Sequence, residues 1–241
     1  MGLTLTIDQG NSSAKVAVWD GDNLVYFMPF ASLGDDELTG LVARYDIDRA
    51  MYCTVAEQQD MLSQMLDEYG IHATEFTHRS PVPLTIDYAT PATLGVDRIA
   101  AAVAASRLHP DTELLVVDAG TAITYDRVTA RNHFAGGNIA PGIGMRLKAL
   151  HAYTARLPLI SGRGETRLWG NSTESALRSG AVNGVVAEIS YYRSRLPHDA
   201  VVVISGGWGQ ELAARLDFET DYQECLVNRG LNDLLLYNED K

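Results

Sequence analysis

The chain has 241 residues, more than one average domain and fewer than two large ones, and 46% of them are hydrophobic, enough to fill a core in each of two lobes. A net charge of -12 excludes the basic face that nucleic-acid binders need, but not the binding of anionic phosphate, which local amides and one or two cations decide. Two widely separated cysteines, Cys53 and Cys225, exclude a disulfide framework or thiolate metal site. With no run of transmembrane length and no charged leader before an apolar stretch, the composition reads as a cytoplasmic protein with neither membrane nor nucleic-acid partners.

In chain order, residues 3–7, 15–19 and 24–27 read as three sequential strands, with Gly21-Asp22-Asn23 as a hairpin signal. Residues 37–45 read as a helix and 49–55 as a strand. The helical spacing of Met61, Leu62, Met65 and Leu66 predicts a helix over 58–69, closed by Gly70. Pro81-Val82-Pro83 and Thr90-Pro91 read as turns between lobes, followed by an alanine-rich, buried helix over 94–108. The second half restarts with a strand at 113–117 and an antiparallel return over 123–128. A glycine-dense loop is expected over 136–144, then helices over 145–153 and 173–196. A short buried strand over 201–204 ends at Ser205-Gly206-Gly207. The predicted organisation is α/β, with one lobe over residues 1–110 and a second over 111–241.

One pattern is written twice. Ile7-Asp8-Gln9-Gly10-Asn11-Ser12-Ser13-Ala14-Lys15 and Val117-Asp118-Ala119-Gly120-Thr121-Ala122-Ile123-Thr124 each run from a strand through an Asp, a spacer and a Gly into small polar residues and a second strand. Such an echo predicts two related half-domains gripping one polyphosphate across a cleft. Gly10 allows close backbone approach, Asn11, Ser12 and Ser13 can donate to phosphate, and Lys15 adds a point charge. Asp8 can hold Mg²⁺ directly or through water. Alone, the first turn reads equally well as a hairpin with a capping Asp; its repetition favours the phosphate site. Ser12-Ser13-Ala14-Lys15 matches the Ser-x-x-Lys of penicillin-recognising enzymes, but the Ser-Asp-Asn and Lys-Thr-Gly partners are missing. No Gly-Lys dipeptide occurs, so a nucleotide site here is not of the P-loop type.

A third element, Thr93-Leu94-Gly95-Val96-Asp97-Arg98, opens the alanine-rich helix. Asp97 in the first helical turn is either a helix-start carboxylate matched to the dipole, or a base that takes a hydroxyl proton while Arg98 anchors an anionic substrate. From the residues alone both readings stand.

Taken together, Asp8-x-Gly10-Asn11-Ser12-x-x-Lys15, Leu94-Gly95-Val96-Asp97-Arg98, Asp118-Ala119-Gly120-Thr121-Ala122-x-Thr124 and Gly136-Gly137-x-Ile139-x-Pro141-Gly142 resemble the type III pantothenate kinase family, nearly end to end. The resemblance implies a duplicated acetate-kinase/actin-like (ribonuclease H-like) two-lobe fold with an interlobe cleft. It implies ATP-dependent phosphorylation of pantothenate to 4'-phosphopantothenate at the start of coenzyme A biosynthesis. ATP, Mg²⁺ and a monovalent cation (K⁺ or NH₄⁺) are the implied cofactors, and a homodimer the implied assembly. Carried over, Asp8, Gln9, Gly10, Asn11, Ser12, Ser13, Ala14 and Lys15 form the ATP phosphate loop, and Thr121 is a further ATP contact. Asp97 is the proton acceptor; Tyr88, Gly95, Val96, Asp97, Arg98 and Thr173 form the pantothenate pocket; Asp118 is the potassium ligand. Ser12 stands where the family commonly has Thr, and Gln9 where it has an apolar residue. A non-catalytic regulatory relative is opposed by the intact Asp97 and phosphate loop. Another actin-like small-molecule kinase is opposed by Gly95-Val96-Asp97-Arg98 and the short chain.

Overall fold

The computed structural model describes residues 2–10, 13–54 and 59–239; side chains of 59–61 are left aside. In chain order the elements are β1 (Leu3–Gln9), β2 (Ala14–Asp20), β3 (Asn23–Phe30), α1 (Asp35–Arg44), β4 (Ile47–Thr54), α2 (Gln59–Glu68), β5 (His72–Glu75) and β6 (Thr85–Ile86). A 3-10 turn (Pro91–Thr93) leads into α3 (Val96–Leu108). There follow β7 (Leu114–Ala119), β8 (Ala122–Val128), β9 (His133–Pro141), α4 (Ile143–Ala152), α5 (Thr173–Arg193), β10 (Val201–Ser205), α6 (Gly209–Ala213), β11 (Asp221–Tyr222) and α7 (Leu226–Glu239).

The chain forms two compact units. The first comprises Met1–Pro110, Asn132–Phe134 and Cys225–Lys241; the second comprises Asp111–Arg131 and Ala135–Glu224. Residues 225–241 therefore belong with the N-terminal unit, whereas the expected second lobe ran to residue 241. The turns at 81–83 and 90–91, expected between lobes, lie inside the first unit.

The first unit is built on a sheet ordered β3-β2-β1-β4-β5, with β2 antiparallel to both β1 and β3, and β4 parallel to both β1 and β5. The hairpin turn predicted at residues 21–23 is present, with Gly21 at φ 56, a region that favours glycine. Alternation along β1 assigns Leu5 and Ile7 to one face, where they join Val16, Val18, Ala50 and Tyr52 beneath Leu38 and Leu41 of α1 and Leu62 and Leu66 of α2. Gly70, at φ 71, caps α2 as predicted, with Ile71 N–H donating to Leu66 O at 3.1 Å.

The opposite face of β1 carries Thr4, Thr6 and Asp8, all buried because α7 packs over it. Burial of these polar groups is matched by hydrogen bonds: Trp19 Nε1 donates to Thr6 Oγ1 at 2.8 Å, and Asn228 Nδ2 of α7 donates to Thr6 O at 3.0 Å. Helix α7 also packs along α3, where a Cβ on Gly230 would fall 1.9 Å from Ala100 O. Only glycine admits that crossing. Sequence reasoning had no α7, because Asn228, Gly230, Asn232 and Asp233 interrupt its apolar periodicity; they are buried in the observed packing. The short β5, β6, α6 and β11 were also unforeseen, being too brief to carry a pattern.

The second unit repeats the plan with β11-β10-β7-β8-β9. There β8 is antiparallel to β7, β10 parallel to β7, and β11 parallel to β10. Its core gathers Leu115 and Val117 of β7, Ile123 of β8, Val202 and Ile204 of β10, Leu147 of α4 and Val182, Val185 and Ile189 of α5. The glycine-dense stretch over 136–144 is not the expected loop: most of it is strand β9, beside β8. A strand with one neighbour along most of its length needs little side-chain packing, and Gly136 takes φ 106 there. The first residues of β9, His133 and Phe134, pair with β6 within the first unit.

Candidate active site

In the first unit the site starts from the central strand. Asp8, the penultimate residue of β1, stands between Lys15 of β2 and Cys53 of β4 in the ladder. That register places Lys15 Nζ 3.2 Å from Asp8 Oδ2, with the two side chains 27% and 11% exposed. Gly10 N–H closes the turn on Ser13 O at 3.0 Å. Gln9 and Ala14 pair as the last rung of the ladder, and Ala14 is fully buried. Asn11 and Ser12 lie outside the described residues.

Helix α3 brings the second element. Its N-cap is Gly95, where a Cβ would lie 2.3 Å from Asp97 Oδ1, so the missing side chain leaves room for the Asp97 carboxylate to fold back. Asp97 Oδ1 accepts the Arg98 N–H at 2.9 Å. Val96 points into the packing and is buried. The loop before the helix is pinned by His78, whose Nε2 donates to Leu94 O at 2.6 Å; a carbonyl only accepts, so the proton sits on Nε2.

Burial raises the Asp97 pKa above the ordinary aspartate value, and the charge of Asp8 raises it further. The Arg98 N–H, the Arg98 guanidinium and Lys15 act against both. Asp8, Lys15 and Asp97 thus form one electrostatic neighbourhood. Cys53 belongs to it too: burial first, then Asp8 and Asp97, push its thiol up, which keeps it protonated and unreactive. Its Sγ lies 3.9 Å from Asp8 Oδ1.

Arg98 is buried despite its charge, being 6% exposed. Its guanidinium lies 5.9 Å from the Tyr88 ring and 5.7 Å from the Phe134 ring, and those rings meet edge to face at 6.2 Å. Phe134 reaches this position because it pairs with Ile86 of β6, and Asp87 N–H donates to Phe134 O at 3.0 Å. The family resemblance names Tyr88 and Arg98, which the structure brings together; Phe134, beside them, lies in no motif and was missed. Cys53 and His78 were missed for the same reason.

In the second unit, Asp118 is the penultimate residue of β7 as Asp8 is of β1, flanked in the ladder by Thr124 of β8 and Ser205 of β10. Gly120 N–H donates to Ala122 O at 3.1 Å, the counterpart of the Gly10 turn. Two further glycines are fitted to this turn. A Cβ on Gly142 would lie 2.3 Å from Thr121 O, and one on Gly206, at φ 89, would lie 2.5 Å from Asp118 Oδ1. Thr121 shares the turn with Asp118, while Thr173 is the first residue of α5, capped by Ser172. The expected site residues therefore divide: Asp8 to Lys15, Tyr88 and Gly95 to Arg98 in the first unit, Asp118, Thr121 and Thr173 in the second.

Among the described residues no group of three or more His, Cys, Asp or Glu is placed to hold a metal ion. Asp8 and Asp118 offer hard carboxylate oxygens of the kind Mg²⁺ and K⁺ take, so either ion would complete its shell with ligand phosphate, backbone carbonyls or water. The first unit thus assembles a lysine-bearing turn, a carboxylate of raised basicity and a guanidinium set against two aromatic rings. This is equipment for binding anions and accepting one proton.

Comparison with solved structures defines the class. A conserved Campylobacter jejuni protein of the Baf transcriptional-activator family aligns at TM-score 0.67 and 24% identity over 98% of this chain and 100% of that one. The Clostridium difficile activator of 2-hydroxyisocaproyl-CoA dehydratase, with bound ADPNP, aligns at TM-score 0.55 and 10% identity over 99% and 98%. The ROK hexokinase of Thermus thermophilus aligns at 0.51 and 15% over 99% and 100%. At these identities the likeness is one of fold: the duplicated α/β architecture of actin-like ATPases and sugar kinases. A family model, type III pantothenate kinase, matches residues 4–195. Type III pantothenate kinases of Phocaeicola vulgatus and Porphyromonas gingivalis are 38% and 39% identical, over 98% and 99% of this chain and 99% and 100% of theirs. The chain belongs to the type III pantothenate kinase family.

Proposed function

We propose that this protein phosphorylates the primary hydroxyl of pantothenate with ATP, giving 4'-phosphopantothenate and ADP, the first step of coenzyme A biosynthesis. The observation that carries the chemistry is Asp97: a carboxylate made more basic by burial and by Asp8, on the same helix turn as an arginine set against two aromatic rings. Asp97 orients the hydroxyl and takes its proton as the hydroxyl oxygen bonds to the γ-phosphorus and the bond to ADP breaks. In a loose phosphoryl-transfer transition state a modest base that also positions the nucleophile is sufficient. Arg98 pairs with the pantothenate carboxylate, within a pocket that includes Tyr88, Gly95 and Val96. Asp8, Gln9, Gly10, Asn11, Ser12, Ser13, Ala14 and Lys15 hold the ATP phosphates with Mg²⁺, and Thr121 adds a contact.

Asp118 is assigned a monovalent cation, K⁺ or NH₄⁺. Both substrates are anionic and the chain is strongly acidic, so a bound cation supplies positive charge where side chains are short of it. Thr173 is assigned to the substrate, and the active form to a homodimer, both on the family resemblance. Among the described residues no helix is long and apolar enough to cross a membrane, in keeping with a cytoplasmic enzyme.

The test is ADP release by the purified protein with ATP and pantothenate, against a panel of sugars and acetate. Asp97→Asn is expected to lower kcat by roughly 10²–10⁴ while leaving ATP binding nearly unchanged. Pantothenate-independent ADP release in the wild type, or near-normal turnover in Asp97→Asn, overturns the reading.

A further inference from the structure

We infer that Asn228, on α7, is a positioning residue for the ATP phosphate loop; this rests on the reading that Asp8 and Lys15 hold the ATP phosphates. Asn228 is fully buried. Its Nδ2 donates to Lys15 O at 2.9 Å and to Thr6 O at 3.0 Å, with Thr6 Oγ1 at 3.3 Å. A side-chain amide has two N–H bonds, and here both are directed at acceptors of two adjacent strands. Thr6 stands two residues before Asp8 on β1, and Lys15 faces Asp8 across the ladder on β2. One amide, 213 residues downstream of Lys15, therefore clasps both strands of the hairpin where they present the Asp8–Lys15 pair.

The amide is kept for its donors. Its Oδ1 finds no hydrogen-bond donor among the described residues, and a buried acceptor in that condition lowers stability. A leucine of the same branching would avoid that cost but could not hold the two carbonyls. Asn232, one turn further along α7, is the natural comparison. It too is buried with an unmatched Oδ1, and its Nδ2 donates to Gly21 O at 2.9 Å. It clasps β2 at the opposite end, beyond Asp20, away from Lys15. The two residues share helix, residue type and burial, but Asn228 ties β1 to β2 beside Lys15, whereas Asn232 holds only the far end of β2. If α7 only stabilises the fold, they are equivalent; if Asn228 positions Lys15, they are not.

The experiment measures kcat, ATP KM, pantothenate KM and the urea unfolding midpoint for wild type, Lys15→Met, Asn228→Ala, Asn228→Leu and Asn232→Ala, with kinetics run well below each thermal midpoint. Lys15→Met and both Asn228 variants are expected to raise the ATP KM, the latter by about tenfold, a factor of the size that losing one net hydrogen bond produces. Pantothenate KM stays near wild type. Asn232→Ala lowers the urea midpoint but leaves the ATP KM alone. Asn228→Leu fills the space and carries the test if Asn228→Ala folds poorly. An unchanged ATP KM in the Asn228 variants, or an equal rise in Asn232→Ala, overturns the inference while the phosphate-loop reading survives. An unchanged ATP KM in Lys15→Met overturns that reading, and this inference with it.

Discussion

Replacing Arg98 by lysine keeps the charge and removes the geometry. The guanidinium lies 5.9 Å from the Tyr88 ring and 5.7 Å from the Phe134 ring, and at 6% exposure it is shielded from water. Contacts of this kind are worth about 0.5–2 kcal/mol each, toward the upper end when desolvated. An ammonium can keep part of one of them. It also exchanges a planar fork for a single donor toward a carboxylate, a loss of about 1 kcal/mol. The sum, about 2–3 kcal/mol, corresponds to a rise of roughly 30- to 150-fold in pantothenate KM. Phe134→Leu removes one ring and leaves the fork, so about 1 kcal/mol, or roughly fivefold, is expected. The assay is steady-state ADP release, varying pantothenate at saturating ATP and then the reverse. In both variants the ATP KM should stay put, and far-ultraviolet circular dichroism should confirm the fold. A pantothenate KM within about threefold of wild type in Arg98→Lys, or an ATP KM rising in step, refutes the ring-anchor argument.

Because the folded-state pKa of Asp97 is raised, its contribution to stability is present below the unfolded value of about 3.9 and lost as pH rises through the folded value. Asp97→Asn should therefore be more stable than wild type near neutrality, with the gap closing as pH falls through the raised folded value and gone by about pH 4; urea midpoints across that range measure it. The acid limb of kcat for the wild type should lie above the ordinary aspartate value, since the base must be ionised. Gly206→Ala must place a Cβ 2.5 Å from Asp118 Oδ1 at φ 89, so a loss of at least about 2 kcal/mol in urea unfolding is expected, together with weakened cation dependence. Turnover in sodium-only buffer should fall well below that in potassium or ammonium; equal rates remove the cation from Asp118.

Strands β1, β2, β7 and β8 and helices α3 and α5 were legible because each carries a pattern longer than its own turn. The doubled Asp-x-Gly turn was legible for the same reason, and β11-β10-β7-β8-β9 repeat the strand order of the first sheet, with β6 as an addition. Glycine misled where it lies in a strand with few neighbours: β9 was expected as loop because propensity ignores what a neighbouring ladder supplies. Helix α7 gave no clean pattern because Asn228, Asn232 and Asp233 interrupt the apolar residues of its buried face, and their place there makes sense only once the hydrogen bonds of Asn228 and Asn232 to distant backbone are known.

The sequence by itself determined the repeat, the Asp8 and Asp118 turns and the Gly95-Val96-Asp97-Arg98 element, since each is a local string whose chemistry follows from residue type and spacing. Only the tertiary structure decided that Asp97 lies within the field of Asp8 and Lys15, that Arg98 lies against Tyr88 and Phe134, and that α7 returns to brace β1, β2 and α3. The reason is physical. Periodicity and turn chemistry act over a few neighbouring residues, whereas burial, charge coupling and the pairing of a buried amide depend on which distant segments share the same few ångströms.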